Sequence, residues 1–202
     1  MATISTQKQR NRNDRSMPGA AIRAIEGEGN ERQFVLSFSS EEPYTRWFGP
    51  EILDHADGAV NMTRLQEMGV VLFNHNRNDV IGRIVSAEVT GSRGEAVIEF
   101  DTDALSETVY QKVKSGTLKG VSVGYTVDNW EDVAPGKTST DGRFTGPCSI
   151  ARTWTPLEVS IVSVPADPTV GVGREMETEP TMVRLALAAR QIQINKHKME
   201  DA

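Results

Sequence analysis

Gly120-Val121-Ser122-Val123-Gly124-Tyr125-Thr126-Val127-Asp128-Asn129 alternates with a period of two. Val121, Val123, Tyr125 and Val127 fall on one face of an extended chain, and Ser122, Gly124, Thr126 and Asp128 on the other. The pattern predicts a β-strand whose apolar row faces a core and whose serine hydroxyl points away from it. Shorter alternations recur at residues 21–26, 33–38, 81–89 and 95–100, with Gly-containing turns at 26–30 and 91–94. A last strand is predicted over residues 157–164, stopped by Pro165. The fold class expected is α+β and strand-rich.

Two stretches carry helical spacing instead. Over residues 103–115, Leu105, Val109 and Val113 stand four apart and Gly116 follows the end. Over residues 61–68, Met62, Leu65 and Met68 stand three apart and Gly69 closes the segment. Residues 131–149 combine Gly, Pro, Thr, Ser and Asp without period and predict a long mobile loop.

The 202 residues divide into a polar arm (1–20), one compact domain (21–172) and a tail (173–202). Asn, Arg, Gln and Ser dominate the arm, which is expected to be flexible. The tail joins a Gly- and Glu-rich linker to an amphipathic helix carrying Met182, Leu185, Ala189 and Ile192, which either packs on the domain or binds a partner. A net charge of −6 argues against a surface built to neutralise nucleic-acid phosphates. With Cys148 the single cysteine, no intrachain disulfide forms, which suits a reducing cytosol. No apolar run reaches the roughly 18 residues a spanning helix needs, and none has a signal peptide's pattern, so a soluble protein is expected.

A serine hydroxyl becomes a nucleophile only beside a base, so the three histidines bound the search. His197 lies in the charged tail and His55 in the turn-like Asp54-His55-Ala56-Asp57-Gly58. His75 follows the apolar run Val70–Phe73 and precedes Asn76-Arg77-Asn78-Asp79, where a buried strand emerges into polar chain. Ser122 lies between Gly120 and Gly124, which leave room for a substrate backbone. Formally this is G-x-S-x-G, but the α/β-hydrolase elbow requires a helix after the serine and a later histidine, whereas here a strand follows and His75 comes first. Glu158 shares a strand face with Ser160, opposite Leu157, Val159 and Ile161, and could orient an imidazole. Taken singly, each has a plainer reading: a surface histidine, a solvent-facing serine, a solvated glutamate. Asp54, His55, Asp57, His75 and Asp79 are metal-ligand types without metal-site spacing, so neither metal nor cofactor is predicted. Nothing around Cys148 suggests an activated thiolate.

Three segments in order, Val71-Leu72-Phe73-Asn74-His75, then Lys114 to Tyr125, then Leu157 to Pro168, resemble the prohead maturation serine proteases of tailed phages. The resemblance implies a closed or partly open β-barrel surrounded by a few helices, like that of the herpesvirus assembly proteases, with the serine on a strand. It implies His75 as base, Ser122 as nucleophile and Glu158 as third member, with Asp167 an alternative. It also implies an endopeptidase inside the immature prohead in the host cytoplasm, self-associating there and cutting the major capsid protein, its scaffolding segment and itself. The competing expectation is a non-catalytic capsid-assembly or scaffold-core protein that retains the fold.

Overall fold

Residues 12–16, 22–27 and 29–164 are described by the computed structural model. In chain order they form β1 (Arg12–Ser16), β2 (Arg23–Ala24), β3 (Gln33–Ser40), β4 (Tyr44–Arg46), β5 (Gly49–Leu53), α1 (Thr63–Met68), β6 (Val70–Phe73), β7 (Asn76–Thr90), β8 (Arg93–Phe100), α2 (Ala104–Lys114), β9 (Gly120–Val133) and β10 (Cys148–Val162). All ten strands join one sheet in the order β1-β9-β10-β6-β7-β8-β3-β2, with β5 on β10 and β4 on β5. The sheet curls into a half-barrel and stays open, ending at β1 and β2.

The long antiparallel β9–β10 pair is the spine. The opposite edge of β10 is shared: its Ser149–Ala151 end runs parallel to β5, and Val159–Ile161 parallel to β6. Between them, Trp154 exchanges backbone hydrogen bonds with Ala59 and Asn61 at 2.9 Å each. The core gathers around Leu36, Phe38, Leu65, Ile81, Ile98 and Trp154, all 0% exposed. Helix α2 closes one end with Val109, Tyr110 and Val113, and Tyr110 meets the rings of Phe34 and Phe100 at centroid distances of 6.0 and 5.8 Å. Its start is fixed by Asp103, whose carboxylate accepts from the Leu105 and Ser106 amides at 3.0 and 3.2 Å.

Several elements depart from the sequence expectations. Strand β10 begins at Cys148 rather than 157, because Pro156 sits at a register shift, where a residue without an N–H is tolerated. Strands β4 and β5 are too short and too interrupted by Gly49 and Pro50 to show a period. Within the stretch expected to be a flexible arm, Arg12–Ser16 forms β1 against β9; backbone pairing and the buried Arg15 hold it, not an apolar row.

The predicted mobile loop is also corrected. Strand β9 continues to Val133, and beyond it the chain turns back as a hydrogen-bonded hairpin with Thr138 bridged to Thr145 and Ser139 donating to the Phe144 carbonyl at 2.8 Å. Arg152 clamps this tip, reaching Asp141 at 2.7 Å, Asp54 at 2.6 Å and Glu131 at 2.6 Å. The residues that made the segment look like a solvated loop are the ones that pair. The tail helix proposed for residues 173–202 lies outside the described residues. Among the described residues, no helix is long and apolar enough to cross a membrane.

Candidate active site

Phe73 pairs with Asn76, so Asn74 and His75 alone connect β6 to β7. Both have left-handed backbone, with φ of 52° and 60°, as a two-residue turn matched to the twist of a hairpin demands. Asparagine tolerates that region; a histidine there is uncommon. The turn is pinned to β10: the Asn74 amide donates to the Ile161 carbonyl at 2.9 Å, and its Oδ1 accepts from the Ser163 amide at 2.8 Å. His75 is thereby held over the sheet.

Beneath it, the β9–β10 register pairs Ser122 with Ser160 and Gly124 with Glu158. Directly paired residues project to the same side of a sheet, so Ser122, Ser160 and Glu158 share one face. His75 Nε2 lies 2.7 Å from Ser122 Oγ, and its Nδ1 lies 2.8 Å from Glu158 Oε1. A carboxylate only accepts hydrogen bonds, so in the neutral imidazole Nδ1 carries the proton and Nε2 accepts from the Ser122 hydroxyl. Glu158 is held in turn, its Oε2 accepting from Ser160 Oγ at 2.7 Å, while Ser160 Oγ accepts from the His75 amide at 3.2 Å.

The structure thus brings His75, Ser122 and Glu158 into one hydrogen-bonded line. Asp167 lies outside the described residues, as does His197. The sequence expectation needs one amendment: Ser122 points away from the valine row, yet it is 1% exposed, because the imidazole covers it. Ser160 is the member whose role went unread, although its two-residue spacing from Glu158 already put both on one face. Asn74 gives no signal short of the turn geometry itself.

On the other face of β9 lies a buried ionic cluster. Tyr125 donates its hydroxyl to Glu51 and accepts from Arg46 Nη2 at 2.8 Å, and Arg15 Nη1 lies 3.9 Å from Glu51. Burial first, and the Glu51 charge second, push the Tyr125 phenol well above its usual range. Arg15 Nε and Nη1 and Glu51 Oε2 are buried without a hydrogen-bond partner.

A second Ser–His pair exists and differs in kind. His55 Nε2 lies 2.7 Å from Ser39 Oγ, and its Nδ1 is 2.9 Å from the Leu53 carbonyl, not from a carboxylate. Both serines are buried, but the His55 residue is only 5% exposed against 25% for the His75 side chain, so the second imidazole is closed to a macromolecular substrate and the pair serves packing against Trp154. The turn expected at His55 is therefore a buried anchor. Because His55 and His75 contact different serines, the candidate metal ligands named above are not drawn together; among the described residues no three His, Cys, Asp or Glu side chains cluster for a metal. The free Cys148 thiol is buried, which pushes its pKa up.

A cleft of about 510 Å³ opens beside His75 and Glu158. No solved structure matches the chain. It is similar to a major capsid protein of Halomonas phage phiHAP-1, 32% identical over 154 residues that cover 74% of this chain and 24% of that one. It is also similar to a capsid polyprotein of Pseudomonas phage PAJU2, 29% identical over 104 residues, 48% of this chain and 14% of that one. The chain thus spans about a quarter or less of the length of these curated relatives. The profile of the caudovirus prohead serine proteases matches residues 22–182, and with four-fifths of its length so covered the chain belongs to that family.

Proposed function

We propose that the chain is a serine endopeptidase that cuts capsid or scaffold protein inside an immature phage head, with Ser122 as nucleophile, His75 as general base and Glu158 as the carboxylate that holds the imidazole. The observation that carries this reading is the line from Glu158 through His75 to Ser122, at 2.8 and 2.7 Å. Its polarity suits proton transfer: Nε2 removes the hydroxyl proton as Oγ attacks the scissile carbonyl, and Glu158 stabilises the resulting imidazolium at Nδ1. The imidazolium then gives its proton to the departing amine, leaving an acyl-Ser122 ester. Water, deprotonated by the same nitrogen, hydrolyses the ester and restores the hydroxyl.

The match to segments of much longer proteins named as capsid chains supports a substrate that is capsid protein, cut in the same chain or alongside it. An open, strand-rich half-barrel with its serine on a strand supports the relation to herpesvirus assembly proteases that the sequence resemblance implies. Co-expression with the capsid protein of the same phage should yield shortened capsid chains. Ser122→Ala should abolish the cut, since losing the serine of such a triad costs about a millionfold. The competing reading, a non-catalytic assembly or scaffold-core protein, draws on the relatives' names and requires wild type and Ser122→Ala to leave equal, uncut capsid chains.

A further inference from the structure

The cleft beside His75 has walls of two chemistries. Val70, Leu72, Val80 and Leu157 line it with aliphatic surface, while Arg64 from α1 and Arg77 from the start of β7 stand at it as cations. Glu158 lines it too, but each of its carboxylate oxygens is committed, one to His75 and the other to Ser160.

Among the described residues, the two arginines differ from most others, though Arg23 and Arg93 likewise form no ion pair. Arg32, Arg83, Arg143 and Arg152 each sit on a carboxylate, whereas Arg64 and Arg77 form no ion pair with a described residue. On a chain of net charge −6, two guanidinium groups at one cleft without an ion pair among the described residues are a local feature rather than an overspill of basic composition. Guanidinium groups bind carboxylates through paired, charge-assisted hydrogen bonds, and aliphatic walls select aliphatic bodies. Together they describe a ligand with both.

We propose that this cleft is the specificity pocket of the peptidase, taking a substrate segment in which an aliphatic residue and an Asp or Glu lie within two residues of the scissile bond. The aliphatic side chain packs on Leu72, Val80 and Leu157, and the carboxylate is held by Arg64 and Arg77. The proposal rests on the reading of Ser122 and His75 as a catalytic pair and adds the identity of what they cut.

The test is digestion of a synthetic random-sequence peptide library by the full chain, with the cut sites read by mass spectrometry, for wild type, Ser122→Ala and the double variant Arg64→Glu with Arg77→Glu. Both arginines are exposed, so the variant is expected to fold. Wild type should enrich Asp or Glu beside the cut, and kcat/KM on a chosen acidic peptide should exceed that on its Lys counterpart by roughly tenfold or more. The double variant should reverse that ratio, which a merely structural role for the arginines would not do. Ser122-dependent cleavage with the same sequence preference in wild type and double variant would overturn the pocket assignment while leaving the peptidase intact. No Ser122-dependent cleavage of any peptide would overturn the peptidase reading, and the pocket with it.

Discussion

Ser160 stands directly across the β9–β10 ladder from Ser122, and its hydroxyl joins the Glu158 carboxylate to the His75 backbone amide. It thereby holds two members of the candidate triad. Ser160→Ala should therefore lower kcat on a peptide substrate by about 10–100-fold, the usual cost of losing a supporting partner, against about a millionfold for Ser122→Ala. Ser160→Thr should recover part of the loss. Equal kcat in Ser160→Ala and wild type would show that Glu158 needs no such support.

The Asn74-His75 turn makes a separate prediction. Asn74 supplies both a residue suited to left-handed backbone and an acceptor for Ser163. Asn74→Ala removes both and should destabilise the fold by about 1–3 kcal/mol in urea titration. Asn74→Gly relieves the backbone strain while losing the side-chain bond, and should fall between the two. A ranking with Asn74→Gly below Asn74→Ala would contradict the account of the turn.

Glu51 is the counter-charge for two arginines, the buried Arg15 and the half-buried Arg46. Removing one partner of a buried ionic group leaves the others uncompensated, so Glu51→Gln should cost about 3–5 kcal/mol. Arg15→Met should cost much less, since Arg46 and the Tyr125 hydroxyl remain to satisfy Glu51. Chemical denaturation of both variants decides the point, and equal losses would refute it.

Stability should also depend on pH through His55. Burial holds its imidazole below the ordinary 6.5, outweighing the Leu53 carbonyl and the nearby Glu41 and Asp54, with Arg15 acting in the same direction as burial. Between the lowered folded value and 6.5, the unfolded chain binds a proton that the folded chain refuses. The contribution is thus fully present above about pH 6.5 and fades as pH falls toward the folded value. Urea midpoints from about pH 7 down to about pH 5 should decline more steeply for wild type than for His55→Gln. Parallel curves would exclude His55 as the source.

The strands flanking the site were legible because their burial is one-sided or nearly continuous: period-two alternation predicted the face of Ser122, and the apolar run before His75 predicted a strand edge. Helix α2 was legible for a similar reason, its cap and stripe lying within a single turn-to-turn pattern. What stayed hidden was set by partners far away in the chain. Polar β1 is a strand because β9 offers it a ladder, and Arg15 looks like an arm residue until Glu51 and Tyr44 surround it. The hairpin tip at residues 134–147 reads as a loop because charge pairing between Arg152, Asp141 and Asp54 leaves no period in sequence. Ser160 was visible as a position beside Glu158, but its bond to the His75 amide depends on β6 lying next to β10, which no local pattern encodes.

The hydroxyl of Ser122 and the imidazole of His75 are supplied by separate hairpins, 47 residues apart, with the carboxylate of Glu158 a further stretch downstream. No fragment shorter than the span from the first to the last of these contains all three, and each is oriented only by the neighbouring strands. In the peptidase proposed above, a partly folded chain accordingly has no assembled cutting centre. Completion of the sheet would then be the safety catch of the proposed peptidase, arming it only when all of these strands are in place.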